Sequence, residues 1–199
     1  MMAGSARPRA VRSASAVTVE TIVTERLELV SLSPAFLDEV LEGDRSVAEE
    51  IAGVSLPETW PTGHDESSLR LRVRQLREDP GAQEWLGVRA IALRRPGRPM
   101  IGHAGFHGRP GVNAARLSDA VELGYTVFEP FRRQGYATEA VRGLIRWAHD
   151  ERGIRRFLAS VAPGNGPSLA ILARLDFAEI GRHWDPEDGD ELEFELVLY

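Results

Sequence analysis

The sequence predicts an α/β (α+β) fold in which about seven short strands form one sheet flanked by helices. Three observations predict it. Strand-like and helix-spaced apolar runs alternate along the 199 residues. The hydrophobic content of 43% suffices for one sizeable core and falls short of two. Between residues 120 and 151 a strand, a tight turn and a helix follow one another without a gap. One domain over residues 20–199 is therefore expected, preceded by a tail, residues 1–19.

That tail holds Arg7, Arg9 and Arg12 among Ala, Ser and Pro and lacks the apolar stretch of a secretory signal. Its composition predicts solvated disorder, with a basic arm touching RNA or a neighbouring subunit as the sharper alternative. The first expected strand is residues 25–31 (ERLELVS), where Leu27 and Leu29 alternate with charged partners. Phe36, Leu37, Val40 and Leu41 then recur at helical spacing until Gly43, and a short helix including Val47 and Ile51 follows. After a loop containing Trp60, Pro61 and His64, a helix over 66–78 carries Leu69, Val73 and Leu76 on one face. Its Arg70, Arg72, Arg74 and Arg77 read as a solvated face. Residues 85–93 and 100–107 read as a strand pair joined by RRPGRP. The remaining expected strands are 120–127, 157–161, 178–183 and 191–198, the last two joined by the acidic turn DPEDGD.

Several function classes are excluded or disfavoured. No apolar run approaches the roughly 20 residues needed to cross a bilayer, so no membrane integration is expected. The lack of cysteine removes disulfides, a thiol nucleophile and thiolate metal sites, and it fits a cytoplasmic protein. A net charge of −6 disfavours nucleic acid as the main ligand. His103 and His107 face the same way on one strand but have no evident third ligand, so no metal is expected. Nucleotide-loop, HExxH and serine-elbow motifs are absent.

The stretch VFEPFRRQGYATEA, residues 127–140, places Arg132, Gly135 and Ala137 on a turn opening into a helix with Ala140, Val141, Leu144, Ile145 and Ala148 on one face. Unpaired N–H groups and the positive end of the dipole make such a helix start a seat for phosphate. Thr138 can instead cap the helix as an ordinary start, and the residues alone leave both readings open.

R-x-x-G-x-A between a strand and a helix resembles the acyl-CoA pyrophosphate loop of the GNAT superfamily of N-acyltransferases. NGPSLAILARLDF, residues 165–177, resembles that superfamily's later N-x-x-S…L-G-F segment. With ELGYTV ahead of the loop and APGNGPS ahead of the second helix, the wording is closest to the ribosomal-protein N-terminal acetyltransferase-like subgroup, over about residues 24–199. Two departures stand out. Arg133 replaces the commonest glycine of the loop, and Asp176 replaces the glycine of L-G-F, where a positive φ would be tolerable for Asp.

The resemblance implies a GNAT fold: a central mixed, mostly antiparallel sheet with helices on both faces, whose fourth and fifth strands (120–127 and 157–161) splay to admit acyl-pantetheine. It implies acetyl-CoA as co-substrate, met by the fourth strand at Tyr125, Thr126 and Val127. The loop would contribute Arg132, Arg133, Gln134, Gly135, Tyr136, Ala137 and Thr138, and the later helix Asn165 and Ser168. Attack of an amine on a thioester needs a proton acceptor, an oxyanion donor and a proton for the thiolate. By resemblance Glu122 is the first choice of base, the Val127 N–H faces the oxyanion, and Ser168 protonates the thiolate; His107, at the end of the third strand in GFHG, is the second choice, as base or substrate ligand. Ser168 and Asn165 also read as the first turn and cap of a helix. Trp60, with Glu122 and His107, would border the acceptor pocket, where an aromatic face suits a cationic amine. The implied function is acetyl-CoA-dependent N-acetyl transfer, in a ternary complex, to a primary amine of a protein N-terminus or a small molecule. The alternative is an acyl-CoA-binding sensor or assembly module without turnover. Many such folds pair as homodimers, and no interface is legible in the chain.

Overall fold

Local signals begin and end the first two helices where the sequence predicts them, and start the third at Gly63, three residues before the expected 66. The computed structural model describes residues 19–186 and 189–199. In α1 (Pro34–Glu42) the Ser33 side chain accepts a hydrogen bond from the Phe36 N–H, and Gly43 closes the helix at φ 87°. Asp44 likewise caps α2 (Arg45–Ala52). A reciprocal Thr62–Asp65 capping box starts α3 (Gly63–Glu78). Further helices are α4 (Gln83–Leu86), α5 (Tyr136–Arg152) and α6 (Gly166–Arg174).

Eight strands form one open mixed sheet. They are β1 (Ile22–Val23), β2 (Leu27–Ser31), β3 (Arg89–Leu93), β4 (Met100–Phe106), β5 (Ala120–Val127), β6 (Arg156–Val161), β7 (Ala178–Asp185) and β8 (Gly189–Val197). Their order is β1-β2-β3-β4-β5-β6-β8-β7, and only β5 and β6 run parallel. Two cores follow from the two faces. On one, α5 and α6 cover Leu29, Ile91, Phe106, Val121 and Phe157. On the other, Phe36, Leu37, Trp60, Leu69 and Val73 pack on Val30, Ala90 and Met100.

Several expectations are corrected. The sheet has eight strands, not about seven, because Ile22–Val23 adds an edge pair to β2 that is too short to show periodicity. Trp85 lies in α4 and not in a strand: its ring packs against Phe106 at 5.4 Å and Trp147 at 5.7 Å, and an apolar run that short is ambiguous between helix and strand. The arginines of α3 are not all solvated. Arg72 is half-buried, whereas Arg77, which pairs with Asp38 at 2.8 Å, stays exposed. Thr138 does not cap α5, because the helix starts earlier, with Gly135 as N-cap at φ 82° and Thr138 buried in the first turn. The expected tail falls almost entirely on residues 1–18, outside the described residues.

Gly102 of β4 shows how closely this sheet is fitted where it matters. A Cβ there would collide with the Thr126 carbonyl oxygen and lie 3.0 Å from the Val127 Cα. Both are backbone atoms of β5 and cannot rotate away. Gly102→Ala is therefore expected to destabilise the domain by about 1–3 kcal/mol, measured as a lower midpoint in urea. An unchanged midpoint would mean the β4–β5 ladder has slack.

Candidate functional site

Pairing between β5 and β6 stops at Glu122 with Leu158, although β5 continues to Val127 and β6 to Val161. A gap opens from Leu123 onward. On the other side of β5 the ladder to β4 is complete. The His107 N–H donates to the Glu122 carbonyl at one end and the Phe128 N–H donates to the Ile101 carbonyl at the other. Antiparallel alternation between these points turns the backbone groups of Gly124 and Thr126 towards β4, and those of Leu123, Tyr125 and Val127 towards the gap. Thr126 is thus a neighbour of the gap whose backbone is already engaged.

The start of α5 adjoins the end of β5. No side chain caps it, so its first-turn N–H groups have no side-chain partner. Arg132 folds back so that its Nε donates to the Val127 carbonyl at 2.9 Å. Arg133 sits at φ 61°, a left-handed conformation that explains why glycine suits this place and that strains an arginine. Asp176 sits at φ 61° as well, the positive φ considered from sequence. Arg26, which sequence reasoning did not single out, braces the turn. Its Nε donates to Glu139 at 2.6 Å, its Nη1 to the Gln134 carbonyl at 3.1 Å, and its guanidinium lies 4.6 Å from the Tyr136 ring centroid.

Across the sheet, on the α3 side, Glu122 is 4% exposed. It accepts hydrogen bonds from the Ser160 hydroxyl at 2.7 Å and the Ala114 N–H at 2.8 Å, and its carboxylate stands 3.5 Å from His107 Nδ1. Burial pushes its pKa up, but the adjacent His107 and the two donors outweigh burial and bring it down from 4.5 to about 2. The half-exposed His107 ring lies over Gly124, where a Cβ would come 2.7 Å from Nε2. Ser160 and Ala114 were not legible as site residues.

A second histidine–carboxylate pair lies further along the same face. His103 Nε2 is 3.4 Å from Asp65, and its ring packs near Trp60 at 6.3 Å and Phe128 at 6.2 Å. The Asp65 pKa is lowered chiefly by His103, against the opposing effect of burial. Trp60 is 2% exposed and stacks on Phe36, its indole nitrogen buried without a partner.

On the α6 side of the gap, the Asn165 side chain accepts from the Ser168 N–H at 3.2 Å, so Asn165 is the cap of α6. The Ser168 hydroxyl lies beside the Tyr125 phenol. That phenol is buried without a hydrogen bond of good geometry, and burial raises its pKa, partly offset by Ser168. A cavity of about 380 Å³ rimmed by Arg142, Arg146 and Arg174 touches Asp176 but not Tyr125, Asn165 or Ser168. No cluster suited to holding a metal ion occurs among the described residues.

Residues 26–178 match the family model of the acetyltransferase (GNAT) domain. The chain belongs to the GNAT acetyltransferase family. Among its GNAT relatives, an uncharacterized N-acetyltransferase of Bacillus subtilis, YjdG, is 26% identical over 157 residues, covering 77% of this chain and 87% of that protein. Two solved GNAT structures share the fold. A putative GNAT-family acetyltransferase from Bordetella pertussis superposes with a TM-score of 0.62 at 24% identity, covering 90% of this chain and all of that one. RimL, a ribosomal alpha-N-protein acetyltransferase in complex with coenzyme A, gives 0.59 at 19%, covering 90% and 98%. No helix of the described residues of this GNAT chain is long and apolar enough to cross a membrane.

Proposed function

We propose that this GNAT chain transfers an acetyl group from acetyl-CoA to a primary amine by direct attack in a ternary complex. The observation that carries the reading is the gap after Glu122 and Leu158, with the uncapped start of α5 at its mouth and the His107–Glu122 pair beside it. The first-turn N–H groups of α5, from Tyr136 to Thr138, receive the pyrophosphate with Arg132, Arg133 and Gln134 around them. The outward backbone groups of Tyr125 pair with the pantetheine amides as a strand would, and the outward Val127 N–H is left for the thioester end.

Sequence reasoning ranked Glu122 ahead of His107 as the base. A carboxylate at about 2 is poorly matched to an ammonium proton, which favours the other order. Glu122 faces Nδ1 and orients the ring, and Nε2, over Gly124, accepts the proton from the amine. The amine nitrogen attacks the thioester carbon, the Val127 N–H holds the oxyanion, and the C–S bond breaks. The proton that the nitrogen sheds after attack passes to the thiolate through the Ser168 hydroxyl, which gives one proton and takes one, beside the Tyr125 phenol. Trp60 acts as an enclosed wall behind His103. The cytoplasm is the compartment proposed for this reaction, and the acceptor is a small molecule or a protein N-terminus.

Titration calorimetry of acetyl-CoA into the wild type and Gly135→Val tests the carrying observation. Gly135 sits at φ 82°, and a Cβ would also press on Arg26 at 3.4 Å. Micromolar binding that weakens at least about tenfold in the variant supports the reading. Equal binding by both proteins sinks the pyrophosphate site. Tight binding without thiol release across an amine panel would make the chain a sensor.

A further inference from the structure

Arg72 stands apart from the other paired arginines of this face. Arg77 pairs with Asp38, and Arg109 with Asp79 at 2.7 Å. The half-buried Arg72 guanidinium has only neutral partners: Nη1 donates to the Gln75 side chain at 3.1 Å and to the His107 carbonyl at 3.0 Å. Its Nε and Nη2 donors face no acceptor among the described residues. Burial lowers its pKa, the sign of a cation held partly out of water without a compensating anion. A guanidinium in that state favours a carboxylate, which it binds through two parallel N–H groups.

The location of Arg72 gives that preference a use. It is anchored to the carbonyl of the same residue whose ring faces Glu122 and lies over Gly124. Gly124 is paired with Gly105, so two residues without side chains lie in register under the imidazole. Arg72 therefore meets the backbone of the same residue whose ring is proposed to take the proton of the amine. His107 thus has a charge of each sign beside it: the ionised Glu122 facing its Nδ1 and Arg72 on its carbonyl.

We propose that the acceptor is an amino carboxylate, a primary amine a few bonds from a carboxylate, and that Arg72 binds the carboxylate. The inference rests on the acetyl-transfer reading and narrows its acceptor. Two sources supply this chemistry, a free amino acid or an acidic side chain next to a peptide N-terminus.

Thiol release from acetyl-CoA is measured with free amino acids, with their carboxamides, and with dipeptide amides beginning in aspartate, using the wild type, Arg72→Gln and Arg72→Lys. Acetyl-CoA titration reports that each variant is folded and loaded. Wild-type preference for carboxylate-bearing amines is expected. Arg72→Gln should lose about 10²-fold more in kcat/KM on them than on carboxamides, mostly through KM, with partial recovery in Arg72→Lys. Activity on free acids alone names the free amino acid as the source; activity on aspartyl dipeptide amides names the peptide. Carboxamides used as well as acids, with Arg72→Gln scaling both alike, overturn the proposal and leave acetyl transfer standing. No thiol from any amine while acetyl-CoA binds overturns the transfer reading and this inference with it.

Discussion

His107→Gln is expected to lower kcat for acetyl transfer by about 10²–10⁴-fold, the range for losing a positioned general base, while acetyl-CoA affinity stays within about twofold. The separation follows from the two faces of β5. The imidazole sits on the α3 side over Gly124, whereas the backbone groups proposed for pantetheine turn into the gap. Stability should hardly change, because the ring is half-exposed and makes one 3.5 Å contact with Glu122. Gly124→Ala gives an independent approach to the same group, since its Cβ would displace Nε2 from 2.7 Å. Its kcat should fall without any change to an ionisable residue. A His107→Gln enzyme with full kcat would return the proton to Glu122.

What was legible in the sequence is what is local along the chain. The α5 loop is a run of consecutive residues, so its turn, its glycine and the helix after it could be read together, even though the cap was assigned three residues too late. The α6 cap at Asn165 is legible for the same reason. Glu122, His107 and Ser168 were reachable only through resemblance, since nothing in their spacing brings them together. The residues missed act across long separations. Ser160 reaches Glu122 over 38 positions, Arg72 reaches His107 over 35, and Arg26 reaches Glu139 over 113. Arg72 was misread because α3 carries four arginines at mixed spacing, and only packing against β4 decides which is drawn inward. Ala114 lies in a loop without apolar periodicity, and its contribution is a backbone N–H that no side-chain pattern announces.

Glu122→Ala is expected to destabilise the domain at pH 7 by about 2–4 kcal/mol, because it strands the Ser160 hydroxyl and the Ala114 N–H in a site that is 4% exposed. Glu122→Gln keeps an acceptor for one of these donors and should cost less, which makes it the better probe of charge. The folded-state pKa of Glu122 is depressed from 4.5 to about 2. Its ionisation therefore contributes stability that is fully present above the unfolded value and is lost as pH falls from 4.5 towards 2. The full shift would correspond to about 3 kcal/mol, but His107 is half-exposed and its attraction is screened, which brings the expected loss to about 1–2 kcal/mol. Asp65 and Glu139 are also depressed, so the wild-type curve alone cannot isolate the effect. The difference between wild type and Glu122→Gln in urea denaturation does isolate it, and it should shrink by that amount between pH 6 and pH 3. A difference that stays constant with pH would mean that neither His107 nor the two donors depress the Glu122 pKa in the folded state. In that case His107 gains no orientation from the carboxylate, and the proton path through Nε2 loses its support.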